Sequence, residues 1–405
     1  MGRLAVRSLV TSGWWCQPTR LWECPCLALA QKTSHPYTRT PAIESPSSRN
    51  GDMLRLSPAV GYAVRSFGGW RSRHWRQIAI DSWELAPAET RENPAPLCIA
   101  GQLDKARRID HGWRVNNLRN LLSPTITHKA TTAHLVQNVD LVGPALFSGR
   151  MHHRLSEQRP AIFDREPIER IASGVLASGY SGNVWFGHFI GDTCPMCLMA
   201  SDVASARQAE VVSAPLITDT LGQRKRYIEL QEINLRILSR AHFDEIVIVD
   251  PLGQNAYYRS KMDEFRRRIR KNISPLLGNH NVYLPRGAHG ANRNPTNLAE
   301  IESVLRDYGF YFVEPERMTL DAFVALMLDA KLVVGLEGSQ LAHMLSTARA
   351  GAILLTLQQP NVFDTPLKLW TESIGMRWGF LIGHPSANGY RIDPDELRRT
   401  LDLVV

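Results

Sequence analysis

His188 and Asp192, four positions apart, are residue types that can carry general-base chemistry. Residues at this spacing share one face of a helix, so the carboxylate would reach the imidazole if the segment is helical. His188 would then take the proton of an attacking hydroxyl group, and Asp192 would orient the ring or act as the base itself. The plainer alternative is a histidine at a helix start beside a solvated aspartate.

A two-glycine turn at residues 335–340 is the second candidate site. Residues 331–334 predict a buried strand, Gly335 and Gly338 bracket the turn, and Ser339 begins an amphipathic helix. The unpaired N–H groups and the dipole of a helix start favour an anion, such as the diphosphate of a nucleotide-sugar. The alternative is a purely structural turn, because every parallel α/β domain needs such connections.

Strands and helices alternate around this turn. The sequence predicts strands at 281–286, 310–313, 331–334 and 352–357, and helices that begin after Asn297, after Thr319 and at Ser339. Asn297 and Glu300 have the spacing of a reciprocal capping box. This alternation predicts a parallel, doubly wound sheet, in which ligands bind at the carboxyl ends of the strands. Arg286 and Arg293 follow the first strand, so we expect two cations beside the glycine turn.

The predicted donor-binding residues also include Ser339 and Gln340 of the turn and three further residues on this edge of the sheet. His343 would donate to a leaving group, or it is a packed helix histidine. Glu337 would repel an anion, so we expect it to hold ribose or sugar hydroxyl groups. Asn361 follows the last strand and either contacts the donor or serves only in a turn.

These residues resemble the pattern of glycosyltransferase family 61. The family has a strand that ends in Arg, a second Arg before an Asn-Glu pair, then Gly-Phe, Pro-Glu and Val-Val-Gly-x-x-Gly. This chain supplies Arg286, Arg293, Asn297, Gly309-Phe310, Pro315-Glu316 and the run from Gly335 to His343. It departs at Leu298, where relatives often have Glu, and at Glu337, where many have His. A weaker similarity covers residues 181–188 with Asp192.

The resemblance implies an α/β, GT-B-like fold of two Rossmann-like domains with parallel, doubly wound sheets. It also implies a nucleotide-sugar donor, a saccharide acceptor and transfer without a catalytic metal or other cofactor. We therefore predict a hexosyl- or pentosyltransferase that inverts the anomeric centre, acting in capsular or surface polysaccharide biosynthesis. The alternative is a non-catalytic nucleotide- or carbohydrate-binding relative that keeps the fold.

Length and composition predict two domains after a leader. Residues 31–50 are rich in Ser, Thr and Pro, so a partly disordered leader is expected at 1–52. An acceptor-side domain is predicted at 53–230 and a nucleotide-sugar donor domain at 231–405. Met53 is an alternative translational start.

The net charge of +8 is concentrated in the first third of the chain. Residues 1–130 hold 18 Lys and Arg against 9 Asp and Glu. A basic surface with Trp70 and Trp75 would suit peripheral contact with an anionic membrane or an acidic polysaccharide. The alternative is an Arg-rich leader. No nucleic-acid-binding motif accompanies the charge, so nucleic acid is not expected as a partner.

Several sequence features argue against membrane insertion and against metal chemistry. No apolar run approaches the ~18–20 residues of a membrane-spanning helix. The start of the chain makes a poor secretory signal, so we predict a cytoplasmic protein, peripheral at most at the inner membrane face. The Asp-x-Asp spacing at Asp393 and Asp395 predicts a helix cap, which leaves no metal site. Cys194 and Cys197 are expected to be buried thiols.

Overall fold

Two β-sheets of different topology carry the candidate residues. The computed structural model describes residues 55–67, 72–109, 116–161, 163–164, 168–216, 219, 221–251, 253–287 and 293–405. The predicted leader at 1–52, Met53 and Trp70 lie outside the described residues.

The elements follow one another in chain order. The strands are β1 (Arg55–Leu56), β2 (Asp81–Ala86), β3 (Glu89–Glu92), β4 (Thr125–His128), β5 (Thr131–Val142), β6 (Ala145–Ser148), β7 (Met151–Arg154), β8 (Phe163–Asp164), β9 (Glu169–Leu176), β10 (Glu210–Ser213), β11 (Leu235–Ile237), β12 (Arg240–Asp250), β13 (Asn281–Leu284), β14 (Tyr311–Phe312), β15 (Leu332–Leu336), β16 (Ile353–Gln358), β17 (Arg377–Ile382), β18 (His384–Ser386) and β19 (Gly389–Arg391). The α-helices are α1 (Pro58–Phe67), α2 (Asn117–Leu122), α3 (Tyr180–Val184), α4 (Phe186–His188), α5 (Cys194–Arg207), α6 (Gln223–Glu229), α7 (Ala256–Asn272), α8 (Leu298–Asp307), α9 (Leu320–Met327), α10 (His343–Thr347), α11 (Pro366–Ser373) and α12 (Pro394–Leu401). Short 3-10 helices cover Trp75–Gln77, Leu103–Lys105, Pro315–Arg317 and Ser339–Ala342, and a π-helix covers Phe189–Thr193.

The first sheet is mixed. Strands β11, β10, β9 and β12 are parallel, and β12 then pairs antiparallel with β5, from Arg240 against Val142 to Asp250 against Thr132. The other edge of β5 carries β2 and β6, and β7 follows β6. The predicted all-parallel arrangement is wrong here, because tight turns with Gly143 (φ 54°) and Gly149 (φ 52°) join β5, β6 and β7 as hairpins.

The second sheet is parallel throughout, as predicted, with strand order β14-β13-β15-β16-β17. All residues of β15 are buried, which matches the continuous apolar run that a strand covered on both faces requires. The chain leaves β13 for the edge strand β14 and then returns across β13 to β15. The loops after β13 and β15 therefore diverge at a topological switch point, where ligands bind in open α/β sheets.

The chain crosses between the sheets more than once. The Leu97 N–H group donates to the Trp378 carbonyl at 2.9 Å, and the Phe380 N–H group donates to the Leu97 carbonyl at 3.0 Å, so an early segment borders β17. Gly379 permits this approach, since a Cβ there would lie 2.5 Å from the Leu97 oxygen. Conversely, β12 follows the predicted boundary at 230/231 and yet pairs within the first sheet. The five strands of the second sheet, β13 to β17, are consecutive in the chain, and the early segment at Leu97 adds only a bridge at its edge.

The predicted helix starts have mixed outcomes. Thr319 accepts a hydrogen bond from the Ala322 N–H group, and Asp393 accepts one from the Asp395 N–H group at 2.8 Å, so both caps are confirmed. The capping box at Asn297 is wrong. Its buried amide instead donates to the Ile392 carbonyl at 2.7 Å and accepts from the Ile392 N–H group at 3.1 Å.

The predicted interface role of Trp75 is also wrong. Its side chain is 5% exposed and belongs to the core of the first sheet. The Arg76 guanidinium lies 4.5 Å from the Trp75 ring centre and also forms an ion pair with Asp250. Among the helices that the structure describes, none has both the length and the apolar character to cross a bilayer.

Candidate functional site

A cavity of about 830 Å³ opens where loops from the carboxyl ends of both sheets meet. The loops after β9 and β10 line one side, and the loops after β13, β14, β15 and β16 line the other. The predicted site residues that line it are His188, Arg286, Arg293, Glu337, Gly338, Ser339, Gln340 and His343. The candidate base and the candidate donor rim therefore share one cavity.

His188 and Asp192 form the expected pair. His188 Nδ1 lies 2.6 Å from Asp192 Oδ2, and the other carboxylate oxygen, Oδ1, accepts a hydrogen bond from Trp370 Nε1 at 2.9 Å. The Trp370 ring also meets the His188 ring edge-on, with centroids 5.0 Å apart. A carboxylate on Nδ1 holds the proton there, which leaves Nε2 as the proton acceptor. Asp192 does not line the cavity, so this geometry favours the orienting role for it.

A π-helix places Asp192. The segment Phe189–Thr193 follows α4 directly, and such wider turns often occur at functional sites. The Tyr258 hydroxyl donates to the Gly191 carbonyl at 2.6 Å and fixes this turn. Gly191 also lies against Trp370, since a Cβ at Gly191 would be 2.5 Å from the indole ring. Glycine at position 191 therefore lets the indole reach Asp192.

The glycine turn is organised by Arg286. Arg286 Nη1 donates to the Glu337 carbonyl at 2.5 Å, and a Cβ at Gly338 would collide with the same guanidinium. The backbone at Gly338 is extended (φ 161°, ψ 169°), so glycine is required by this close approach and not by a left-handed conformation. Burial lowers the pKa of Arg286 from its ordinary value, and the Glu337 carboxylate opposes that shift.

Glu337 already has a cationic partner. Its carboxylate forms an ion pair with Arg293, and its side chain is 13% exposed. The Tyr390 hydroxyl donates to the Arg293 carbonyl at 2.7 Å and fixes the backbone of that loop. Both rim arginines therefore contact Glu337. Arg293 binds the Glu337 side chain, and Arg286 binds the Glu337 main-chain carbonyl.

Two predicted donor-binding residues do not line the cavity. Gly335 is buried in β15, where a Cβ would lie 2.5 Å from Leu341 and 2.7 Å from the Leu284 carbonyl, so its role is packing. Asn361 is exposed outside the cavity, and Asp364 of the same loop lines it instead. Helical structure begins at Ser339 as predicted, but as a 3-10 turn followed by the short α10, so the dipole at this helix start is weak.

His343 is packed beneath the turn. Its side chain is buried, its Nδ1 atom lies 2.8 Å from the Tyr227 hydroxyl, and Phe186 and Phe323 contact its ring. Burial lowers the pKa of His343 to about 3, so the imidazole is neutral at physiological pH. A cationic role for His343 does not fit this burial, the packed alternative fits its contacts, and a role as a neutral donor to the leaving group stays a prediction.

Sequence reasoning missed several lining residues, notably Trp185, Arg224, Glu316, Asp364 and Trp370. Arg224 is buried, donates to the Gly182 carbonyl and lies 5.2 Å from the Phe189 ring centre. Trp370 had one usable signal, because Pro366 marks a helix start directly after the loop that follows β16. The hydrogen bond from Trp370 to Asp192 joins residues far apart in the chain, so no local sequence pattern predicts it.

Neither cysteine of the Cys-x-x-Cys pair faces the cavity. Cys194 and Cys197 are fully buried, and burial raises the pKa of Cys197 to about 12, as expected for packed thiols. Within the described ranges, no group of three or more His, Cys, Asp or Glu side chains is arranged to hold a metal ion.

The cavity places the His188–Asp192 pair on one side and Arg286 and Arg293 on the other. Residues 186–354 match the family model of Glycosyltransferase 61, which supports a glycosyltransferase. The resemblance predicted from the motifs is confirmed over these residues. No curated protein matches the chain.

Two solved structures are similar to part of the chain. One is the bacterial iron-containing dodecameric glycosyltransferase TibC from enterotoxigenic E. coli H10407, with 11% identity and a TM-score of 0.27. The other is the dodecameric iron-containing heptosyltransferase TibC in complex with ADP-D-beta-D-heptose, with 13% identity and a TM-score of 0.28. In each case the similarity covers 59% of this chain and 79% of the other.

The environment of His343 predicts a pH-dependent stability. Its pKa is about 3 in the folded state and about 6.5 in an unfolded chain. Only the unfolded state binds the proton between these values, so this stability is complete above pH 6.5 and falls as the pH drops towards 3. Between pH 7 and pH 5.5, the free energy of unfolding of the wild type, measured with urea, should fall by about 1 kcal/mol more than that of His343→Phe. An identical pH dependence in both proteins would contradict the neutral, buried histidine.

Proposed function

We propose that the protein transfers a sugar from a nucleotide-sugar donor to a saccharide acceptor, with inversion at the anomeric carbon. One observation carries the proposal: His188, which Asp192 orients from behind, and the arginine-lined turn at Gly338 line the same cavity. The match to Glycosyltransferase 61 over residues 186–354 supports the reaction class independently.

The donor diphosphate would lie against Arg286 and Arg293 at the switch point of the second sheet. Guanidinium groups bind phosphate oxygens through charge-assisted, often bidentate hydrogen bonds. The N–H groups at the start of the Ser339–Ala342 helix would add neutral donors. These groups supply the positive charge that a diphosphate leaving group requires, so we propose that no catalytic metal takes part.

His188 would act as the general base. The acceptor hydroxyl loses its proton to His188 Nε2 while its oxygen bonds to the anomeric carbon. The bond from that carbon to the diphosphate oxygen breaks at the same time, and the electron pair leaves with the diphosphate towards the arginines. Asp192 holds the Nδ1 proton and stabilises the imidazolium ion that forms.

The more specific parts of the proposal concern the domain arrangement, the class of sugar and the biological role. A cavity lined by the carboxyl ends of strands from both sheets favours a GT-B-like arrangement. A hexosyl- or pentosyltransferase class, a role in capsular or surface polysaccharide synthesis and a cytoplasmic site with peripheral membrane contact remain predictions. The identity of the sugar is open to a donor screen.

The first test concerns the donor rim. Changing Arg286 or Arg293 to Ala should weaken nucleoside diphosphate binding by about ten- to a hundredfold, because each removes a charge-assisted contact of about 1.5–3 kcal/mol. Calorimetry against a panel of nucleoside diphosphates measures this. Arg398→Ala, which removes an arginine outside the cavity, is the control and should bind normally. Unchanged affinity in both variants would contradict the assignment of the diphosphate site to Arg286 and Arg293.

The second test separates catalysis from binding. His188→Ala or Asp192→Asn should lower turnover by about 10²–10⁴-fold with near-normal donor affinity. Trp370→Phe keeps the ring but loses the N–H group that holds Asp192, so turnover should fall less, by about tenfold. Trp378→Phe is the matched control, since this buried indole bonds only to Thr356 and lies outside the cavity.

Donor hydrolysis by the wild-type protein provides the baseline, and EDTA should not change it. Nucleotide binding without any hydrolysis or transfer would indicate the non-catalytic relative instead. Strong inhibition by EDTA would overturn the metal-free mechanism.

A further inference from the structure

Trp185 differs from the other tryptophans around the two sheets. Trp185 is 43% exposed and lines the cavity, whereas Trp75, Trp370 and Trp378 are 5%, 4% and 0% exposed and Trp83 of β2 is half-buried outside the cavity. This exposure leaves part of the indole accessible to a ligand in the cavity. The exposure coincides with the cavity that contains the candidate base.

The backbone holds this indole in place. Trp185 adopts an extended conformation (φ −114°, ψ 127°) between α3 and α4, so the helical path is interrupted at this residue. Phe186 also lines the cavity and places its ring 4.7 Å from the His343 ring, while Trp185 is the more exposed of the two. Tyr180 meets Trp185 edge-on with centroids 6.1 Å apart. Buried Asn183 donates to the Leu155 carbonyl at 2.8 Å and anchors α3.

The position of Trp185 relative to His188 indicates what the indole would bind. The two ring centroids are 5.7 Å apart, so a ligand stacked on the indole would lie beside the imidazole. The proposed base must contact the acceptor hydroxyl, which places the acceptor here and the donor diphosphate at the arginines of the second sheet. Leu221, 46% exposed, adds apolar surface to the same cavity.

We propose that Trp185 is the stacking platform for the acceptor saccharide, an inference that rests on the proposed function. A pyranose ring has a face of C–H groups that can cover the indole, and hydroxyl groups at its rim that can reach His188. A serine or threonine side chain offers a hydroxyl group but too little apolar surface to cover an indole. The platform therefore favours a sugar acceptor over a hydroxylated peptide.

Methyl pyranosides of glucose, galactose, mannose and xylose are suitable probes. Saturation-transfer NMR on the full chain, with a nucleoside diphosphate present, should show the strongest transfer to C–H protons on one ring face of at least one glycoside. Trp185→Ala should weaken that glycoside about tenfold, since about 60 Å² of apolar contact is lost. Trp185→Phe should retain most of the binding. Tyr311→Ala, which removes a 41% exposed aromatic residue outside the cavity, is the control and should match the wild type.

Four results would overturn the platform: no response to any glycoside, equal binding by Trp185→Ala, a response to N-acetylthreonine amide in place of the sugars, or weaker nucleoside diphosphate binding in Trp185→Ala. The last would mean that the indole stacks on the nucleobase. Calorimetry of the wild type with nucleoside diphosphates separates the two proposals. Absent nucleotide binding contradicts the proposed function, whereas normal nucleotide binding and donor hydrolysis with Trp185-independent glycoside binding contradicts only the platform.

Discussion

The hydrogen bond from Trp370 to Asp192 is the constraint on which the candidate site depends, because it joins elements of the two sheets beside His188. Asp192 belongs to the π-helix that continues the loop after β9, and Trp370 belongs to α11, after β16. With one carboxylate oxygen bound to the indole and the other to His188, the imidazole has one supported orientation. The proposed base, His188, follows a strand of the first sheet and is therefore aligned by a residue that follows a strand of the second, and Gly191 provides the space for that contact.

A buried charge holds α11 where this contact requires it. Lys368 is fully buried and donates to the Asn93 side-chain oxygen at 2.5 Å and to Glu372. A buried ion pair is rarely more stable than apolar residues of the same volume, whereas losing one partner leaves an uncompensated charge. The Lys368 contacts instead fix the position of α11, because they join this helix to the segment that contains Asn93. Trp370 lies between Lys368 and Glu372 on the same helix. The second sheet therefore depends on residues from the start of the chain.

Local patterns predicted the elements of the second half well, and long-range contacts account for what they missed. The apolar run of β15 and the caps at Thr319 and Asp393 depend on residues close in sequence, so periodicity and capping rules sufficed. The spacing of His188 and Asp192 indicated their contact for the same reason. Asn297 binds Ile392, and Trp370 binds Asp192, across distances in the chain that no local rule covers. His343 was ambiguous because its burial depends on Tyr227 and Phe323, which only the folded chain brings together.

The interleaved topology also limits how the cavity can open. The Tyr227–His343 contact at 2.8 Å and the hydrogen bond from Gln223 to the Pro315 carbonyl at 3.3 Å join the two halves, in addition to the Trp370–Asp192 bond. Separating the halves would leave buried polar groups unpaired at about 1–3 kcal/mol each. A wide hinge motion is therefore costly. The ion pair of Arg293 with Glu337 lies at the cavity, where a donor phosphate can reach Arg293 and donor hydroxyl groups can take over the Glu337 carboxylate. We expect donor binding to proceed by this exchange, in which a phosphate replaces the carboxylate while the two sheets stay in place.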